Sequence, residues 1–563
     1  MKRLRLSQMV TFFLVMLVMP GLVQGEKANE TTPQTTEPPN ILLIVADDLG
    51  YADLGSFGSA IATPHLDALA EAGIRFSQFH TAVKCAPTRA MLLSGNNSHV
   101  AGMASQGVRG IMGQPYPGYE AALSDRIVPF PALMQAAGYH TYMVGKWHLG
   151  YEPDQGPGAA GFERSFVMLN GAGNHWDAVG FHEGGSSYRA DGVAAEWPAG
   201  RYSTDLYTER LIGFIDSNKD SQRPFFAFAA YTSPHWPLQV PEHELDRYAG
   251  RYGQGYDQLR EENFKNIKAA GIIPASSELP PRNPAITPWG ELNADQQRRE
   301  ARKMELYAAM VSNLDHHVGR LLDYLKANGL YENTLVVFMS DNGAAAEDFY
   351  NSEEYPAFRN YLREHYDNHY ENMGHANSWV SYGPQWAEAG SAPFSRHKTY
   401  TRQGGVTAPM IIAGPGVSGA GSISSSYLTV MDLAPTFMEL AAADYPEREG
   451  IEPMRGRSMT AFLGGESETV HDDDYVTVHA HRGRMLLRQG HWKLTSLEPP
   501  FDESKLELFN LAVDPGETKN LRETEPEKFQ ELLERWRSER RALGIVLPQD
   551  LYCLLYTSPS PRD

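Results

Sequence analysis

The run Ile41-Leu42-Leu43-Ile44-Val45, ending in Ala46-Asp47-Asp48, restricts the fold of this chain more than any other segment. Five consecutive branched aliphatic residues leave no polar face, so a strand built from them must be covered on both sides. That is the environment of an interior strand in a helix-flanked sheet. Less uniform apolar runs at 140–144, 224–231, 334–340 and 409–413 supply further strands. Helical patterns alternate with them: 63–73 opened by Thr63-Pro64, 130–137, 204–215, and a long one over 302–328. In the last, Met304, Tyr307, Val311, Leu314, Val318, Leu321 and Leu325 share one face and Gly329 is the stop. Such alternation predicts an α/β fold, a large mixed sheet flanked by helices on both faces.

After about residue 443 the texture changes. Short alternating segments at 475–479, 483–488 and 491–495 precede one charged helix at 525–543, which predicts a smaller C-terminal α+β domain with an antiparallel sheet. The charged, Pro-interrupted stretch 242–302 reads as an insertion near the surface. The expected organisation is a signal peptide at 1–25, a flexible Thr/Pro/Glu-rich linker at 26–39, a large α/β domain at 40–443 and the smaller domain at 444–552. The terminal run 553–563 reads as translated sequencing adapter rather than protein, so of the two cysteines, Cys85 and Cys553, only Cys85 would be genuine.

Lys2, Arg3 and Arg5 followed by an apolar run to Met19 read as a cleaved export signal, the run being short for a membrane span, with an uncleaved N-terminal anchor as the alternative. The expected location is therefore periplasmic or secreted, with no stable membrane span after cleavage. Formal charge is −20, and loss of those three basic residues takes it to −23. A chain so acidic does not bind nucleic acid through bulk charge, so an anionic ligand must be captured by a local cluster of cations.

Cys85-Ala86-Pro87-Thr88-Arg89 supplies one candidate for that chemistry. Pro87 suits the first helical position, which would set Cys85 beside unpaired backbone donors and bring Arg89 to the same spot one turn on. The alternative is a buried, inert cysteine ahead of an ordinary helix. In an open α/β sheet ligands gather at the carboxyl ends of strands. There the sequence places Asp47-Asp48, Asp341-Asn342-Gly343, Lys146 and His148 in Gly145-Lys146-Trp147-His148-Leu149-Gly150, and His235 in Ser233-Pro234-His235-Trp236-Pro237, with Lys398 in a further cluster. Three carboxylates and an amide oxygen form a hard-oxygen set suited to Ca²⁺ or Mg²⁺, and no Cys/His spacing suggests zinc. Each of these pieces taken singly is equally a turn, a cap or a solvated charge.

Taken together, Asp-Asp-Leu-Gly at 47–50, Cys-x-Pro-x-Arg at 85–89, Gly-Lys-Trp-His-Leu-Gly at 145–150, Pro-His-Trp-Pro at 234–237, Ser-Asp-Asn-Gly at 340–343 and Lys-x-x-x-x-Gln-Gly-Gly at 398–405 resemble, in order and spacing, the formylglycine-dependent sulfatases, bacterial arylsulfatases in particular. The similarity spans about 40–545 and includes Asp514-Pro515-Gly516-Glu517. It implies that a formylglycine-generating maturation enzyme oxidises Cys85 and that Asp47, Asp48, Asp341 and Asn342 bind one Ca²⁺ together with the hydrated aldehyde, with Mg²⁺ the less suited ion. It further implies that Arg89 stabilises that group and that Lys146 and Lys398 neutralise sulfate oxygens. His235 would protonate the leaving oxygen, and His148 would help expel sulfate from a sulfated-enzyme intermediate. The substrate would be a small-molecule sulfate monoester. Two departures stand out: Ser94 before Gly95, and Val406-Thr407-Ala408-Pro409 where many relatives carry an Arg.

Two other activities fit less of this pattern: a phosphodiester or phosphonate monoester hydrolase of the same superfamily, and a non-catalytic sulfate-ester binding protein. Asn174-His175 is a candidate substrate contact, whereas His316-His317 and 471–474 read as solvated or packing features.

Overall fold

The computed structural model describes residues 37–106, 109–111, 114–547 and 550. The expected leader, most of the linker and the terminal run with Cys553 lie outside the described residues. Strands β1 (Asn40–Ala46), β2 (Ile74–Phe76), β3 (His140–Lys146), β4 (Arg164–Met168), β5 (Tyr188–Ala190), β6 (Val193–Ala195), β7 (Phe225–Ala230), β8 (Thr334–Ser340), β9 (Met410–Ala413) and β10 (Ile423–Ser424) form one ten-stranded sheet. Their order is β10-β2-β9-β8-β1-β7-β3-β4-β5-β6. The five central strands β8, β1, β7, β3 and β4 are parallel, and antiparallel pairs flank them, so the sheet is mixed as expected.

β1 sits in the middle because its alternate side chains feed two cores. Leu42, Ile44 and Ala46 join one apolar cluster with residues of helices α1 (Pro64–Ala72), α4 (Ser203–Asp216) and α6 (Ala294–Ala327). Ile41, Leu43 and Val45 join the other with α2 (Cys85–Ser94), α3 (Phe130–Ala136) and the helix Leu433–Leu440. A strand with no polar face is stable only in such a position.

α6 begins eight residues before the expected start, because Asn293 and Gln296 form a reciprocal capping box ahead of a turn that is polar all round. Its apolar face is buried as the periodicity requires. Tyr307 Oη donates to Asp53 Oδ2 at 2.7 Å, and the same oxygen accepts the Gly50 amide at 3.1 Å. The long helix thereby anchors the turn that follows Asp47-Asp48. The stretch 242–302 differs from the surface insertion expected of it. It forms α5 (Gly255–Ala269) and sends Tyr248, Tyr252, Tyr256, Leu259 and Ile267 into the first core.

At the C-terminus, β11 (Val476–His481), β12 (Arg484–Gln489), β13 (Trp492–Thr495) and β14 (Glu507–Asn510) make a consecutive antiparallel sheet. The helix Pro526–Ala542 covers it with Phe529, Leu532, Leu533 and Trp536, forming a third core with Met485, Leu487, Leu494 and Leu508. Among the described residues, no helix is long and apolar enough to cross a membrane.

Gly145, in β3 just before Lys146, has φ 95° and pairs with Ala230 of β7; a Cβ there would lie 1.8 Å from the Ala230 carbonyl oxygen. Gly138 has φ 99° with nothing within 4 Å of its would-be Cβ. Gly145→Ala should therefore cost about 3 kcal/mol or more of unfolding free energy, and Gly138→Ala only the backbone strain, about 1 kcal/mol. Equal losses in urea denaturation would show that β3 and β7 part freely.

Candidate active site

The register of the central strands assembles the site. Ala46 of β1 lies beside Ser340 of β8, so the next residues, Asp47 and Asp341, leave the sheet side by side. The Asp341 amide donates to the Ala46 carbonyl and the Asp47 amide to the Ser233 carbonyl beyond β7. β3 ends at Lys146 at the same edge. All ten residues singled out by the sequence converge here: Asp47, Asp48, Cys85, Arg89, Lys146, His148, His235, Asp341, Asn342 and Lys398. Nine are buried and His148 is partly exposed.

Cys85, rather than Pro87, is the first residue of α2, and Pro87 is the third. That position still suits proline, because the first four helical N–H groups have no intrahelical acceptor. The Thr88 hydroxyl accepts the Ala82 amide at 3.0 Å and fixes how the chain enters the helix. Cys85 Sγ lies 3.5 Å from Asp48 Oδ1. Burial, together with the carboxylates of Asp341 and Asp48, pushes the thiol pKa up, so the group stays protonated.

Three cations answer three carboxylates. Lys146 Nζ donates to both Asp47 oxygens at 2.8 Å, and Lys398 Nζ to Asp48 Oδ2 at 2.7 Å. Arg89 contacts Asp341 Oδ2 through Nη2 at 2.8 Å and Nε at 3.1 Å, while its Nη1 donates to the Lys146 carbonyl. Burial pushes Asp47 up to about 7 despite Lys146. Burial also works against ionised Asp48, but Lys398, His235 and Lys146 outweigh it and hold that carboxyl below its ordinary range.

Both ring nitrogens of His235 face acceptors: Nδ1 the Trp236 carbonyl at 2.7 Å, and Nε2 Asp48 Oδ2 at 3.1 Å. Those contacts suit a proton on each nitrogen. Burial pulls the other way, joined by the ammonium groups of Lys398 and Lys146, and lowers the pKa well below the ordinary value. Geometry thus offers Nε2 an acceptor for a proton, while burial and the neighbouring cations favour the neutral ring. His148, at φ 61°, packs against Gly171 with a buried, unpartnered Nδ1, and burial with Lys146, Arg89 and Lys398 keeps it neutral.

The donor set fits a hard dication. Asn342 Nδ2 donates to Asp48 Oδ1 and to the Gly343 carbonyl, which sets the amide's orientation and leaves Oδ1 buried with no partner. Ligand atoms of Asp47, Asp48, Cys85 and His235 lie within 4.8 Å of one another. Asp341 stands outside that group, its Oδ2 engaged by Arg89 and its Oδ1 by the Asp48 amide. Carboxylate and amide oxygens in this number suit Ca²⁺.

One neighbour carried no sequence signal. Glu347, beyond the Asn342 turn, pairs with Lys84 and accepts from the Thr399 hydroxyl. His175, expected as a possible substrate contact, is instead fully engaged: Nδ1 meets Ser203 Oγ at 2.6 Å and Nε2 meets the His235 carbonyl at 3.1 Å. It props the His235 backbone. His471 is buried against Asp432 and stacked on Tyr475, a packing feature as expected.

A family model for sulfatases matches residues 39–443, and one described as N-sulphoglucosamine sulphohydrolase, C-terminal, matches 396–542. The chain is 37% identical over 535 residues to an uncharacterized sulfatase of Schizosaccharomyces pombe, covering 92% of this chain and 96% of that protein. It is 39% identical over 439 residues to an arylsulfatase of Klebsiella aerogenes, covering 76% and 92%. A crystal structure of Ps i-CgsB in complex with k-i-k-neocarrahexaose matches with TM-score 0.64 and 25% identity, over 89% of this chain and 92% of that one. With its strand-end carboxylates, buried cysteine and countercharges in place, this chain belongs to the sulfatase family and is an enzyme of sulfate ester hydrolysis.

Proposed function

We propose that this chain is an exported, formylglycine-dependent sulfatase of the arylsulfatase type, releasing inorganic sulfate from sulfate monoesters within a catalytic domain at 40–443. The observation that carries the reading is the setting of Cys85, at the first position of α2 with Sγ 3.5 Å from Asp48 Oδ1, inside a cage of three cations and the oxygens of Asp47, Asp48, Asp341 and Asn342. Oxidation to formylglycine by a maturation enzyme would supply at that position a hydrated aldehyde whose hydroxyl attacks sulfur. Asp47, Asp48, Asp341 and Asn342 would hold one Ca²⁺, which when bound supplies positive charge against the sulfate and acidifies that hydroxyl.

The remaining work belongs to the side chains. Lys146 and Lys398 face the strand-end carboxylates and would turn toward sulfate oxygens, offsetting charge that grows as the ester bond breaks. Arg89 holds Asp341 and the Lys146 carbonyl, keeping position 85 and β3 in register. His235 Nε2 delivers its proton to the departing alcohol oxygen, and neutral His148 accepts the proton whose removal frees sulfate. Trp236, with its ring centroid 4.2 Å from that of His235, packs with Phe181, Phe349 and Trp379 in a buried aromatic cluster that backs the His235 ring.

Protein co-expressed with a formylglycine-generating enzyme should hydrolyse an aryl sulfate far faster than the matching aryl phosphate, and Cys85→Ala should lower that rate by about 10³-fold or more. Phosphate preference would assign the phosphoesterase alternative, and binding without turnover the non-catalytic one. His235→Ala should slow esters of weakly acidic alcohols by about 10²- to 10⁴-fold while sparing esters of acidic phenols; a uniform loss across leaving groups would remove the proton-donor role. Chelation should lower both activity and the unfolding midpoint, with Ca²⁺ restoring both. Unchanged unfolding after verified metal removal would count against a cation at these residues.

A further inference from the structure

The Asp514-Pro515-Gly516-Glu517 turn and the terminal sheet take no part in the chemistry proposed above, yet they meet the active site through a buried network. Glu517 Oε2 accepts the Gln403 backbone amide at 2.7 Å. Lys493 Nζ, from β13, lies 2.7 Å from Glu517 Oε1 and donates to Gln403 Oε1 at 2.9 Å. Both charged side chains are almost completely buried, and the far end of Gln403 is held by His80 at 2.9 Å. Gln403 lies five residues after Lys398 and opens the short helix Gln403–Val406 that closes the Lys398 loop.

That loop does not hold its own shape. Arg396 and Thr399 both have positive φ, 64° and 83°, and a β-branched residue adopts such a conformation only when its surroundings impose it. On the catalytic side the Lys398 amide donates to the Ala344 carbonyl and the Thr399 amide to the Val83 carbonyl. On the terminal-sheet side the Thr401 hydroxyl donates to the Ser496 carbonyl at 2.7 Å and accepts from Thr495 Oγ1 at 2.9 Å. The loop's end presses on the turn after Asn342: a Cβ at Gly343 would lie 1.9 Å from the Gly404 carbonyl oxygen. A shift of Gln403 therefore reaches Lys398 along the chain and Asn342 by contact.

We infer that Lys493 and Glu517 are positioning residues for Lys398, the terminal sheet acting as a clasp that sets where this ammonium stands in the active site. A buried ion pair is often no better for stability than an apolar pair of similar size, so fold stability alone does not account for placing one here. The two opposed charges instead fix a backbone amide and a side-chain amide of the same residue, which specifies geometry. The inference rests on Lys398 contacting the sulfate, as proposed above.

The test is a double-mutant cycle on the matured full chain, with kcat and KM measured separately on an aryl sulfate and the thermal midpoint followed in parallel. Lys493→Met and Glu517→Gln should each lower kcat/KM by about 10- to 100-fold when Lys398 is present. In a Lys398→Ala background they should change it by less than about two-fold, because the loss passes through that ammonium. Equal losses in both backgrounds, or full activity with Lys398 present, would overturn the clasp. Full activity of Lys398→Ala itself would overturn the role of Lys398 and, with it, this inference. If a single variant fails to fold, the paired replacement Lys493→Met with Glu517→Leu leaves no lone buried charge and carries the same two expectations.

Discussion

Everything in this structure turns on placing three carboxylates where water does not reach them. Parallel pairing of β1 with β8 brings Asp47 and Asp341 out side by side, and Asp48 follows at φ 65°. All three are buried, and like charges in such a place repel strongly while losing their hydration. Neutralisation comes from parts of the chain far apart in sequence: Arg89 from a helix on one face of the sheet, Lys146 from the end of β3, and Lys398 from the loop before β9. None of these cations can be delivered unless the strands are already in order, so the electrostatics of the site and the topology of the sheet specify each other.

The central sheet was legible because burial on both faces leaves a simple mark, a run of apolar residues without polar interruption, and β1, β3, β7, β8 and β9 all bear it in some degree. The edges were not. β5 and β6, beside and at the edge, are three residues each and carry Arg189, the exposed Val193 and Ala194 and the partly exposed Ala195, since a strand at the margin has less to hide. One usable signal lay in Asp191-Gly192, where both residues have positive φ and form the two-residue turn between β5 and β6. The stretch 242–302 misled for a different reason. Its charges dominate composition, but Tyr248, Tyr252, Tyr256 and Leu259 recur at helical spacing and face inward.

At the site, the residues that end strands could be found from sequence because topology dictates where strand ends go. Residues that act by leaning on those could not. Glu347 and Lys493 reach their partners across long sequence separations with nothing in their own neighbourhoods to set them apart from solvated charges, while the motifs around His175 and Glu517 marked the place without giving the partner. His175 shows the difference clearly. Its resemblance to a stretch near the active site of related sulfatases suggested contact with substrate, whereas its two nitrogens are both engaged, by Ser203 and by the His235 backbone.

The charge of the whole chain sharpens the role of this buried cluster. A protein with a formal charge of −20 repels an anionic ester at long range. At physiological ionic strength that repulsion fades within a Debye length of about 8 Å. The ammonium and guanidinium groups at the strand ends sit in a low-dielectric space where screening is weak, so their attraction survives where the surface field does not. Capture therefore depends on short-range geometry, on how Lys146 and Lys398 stand relative to the carboxylates that hold them before substrate arrives. A displacement of either by a fraction of an ångström would matter more here than any change in surface charge. That is why the supports of Lys398, down to a lysine and a glutamate of the terminal sheet, belong to the same physical problem as the carboxylates themselves.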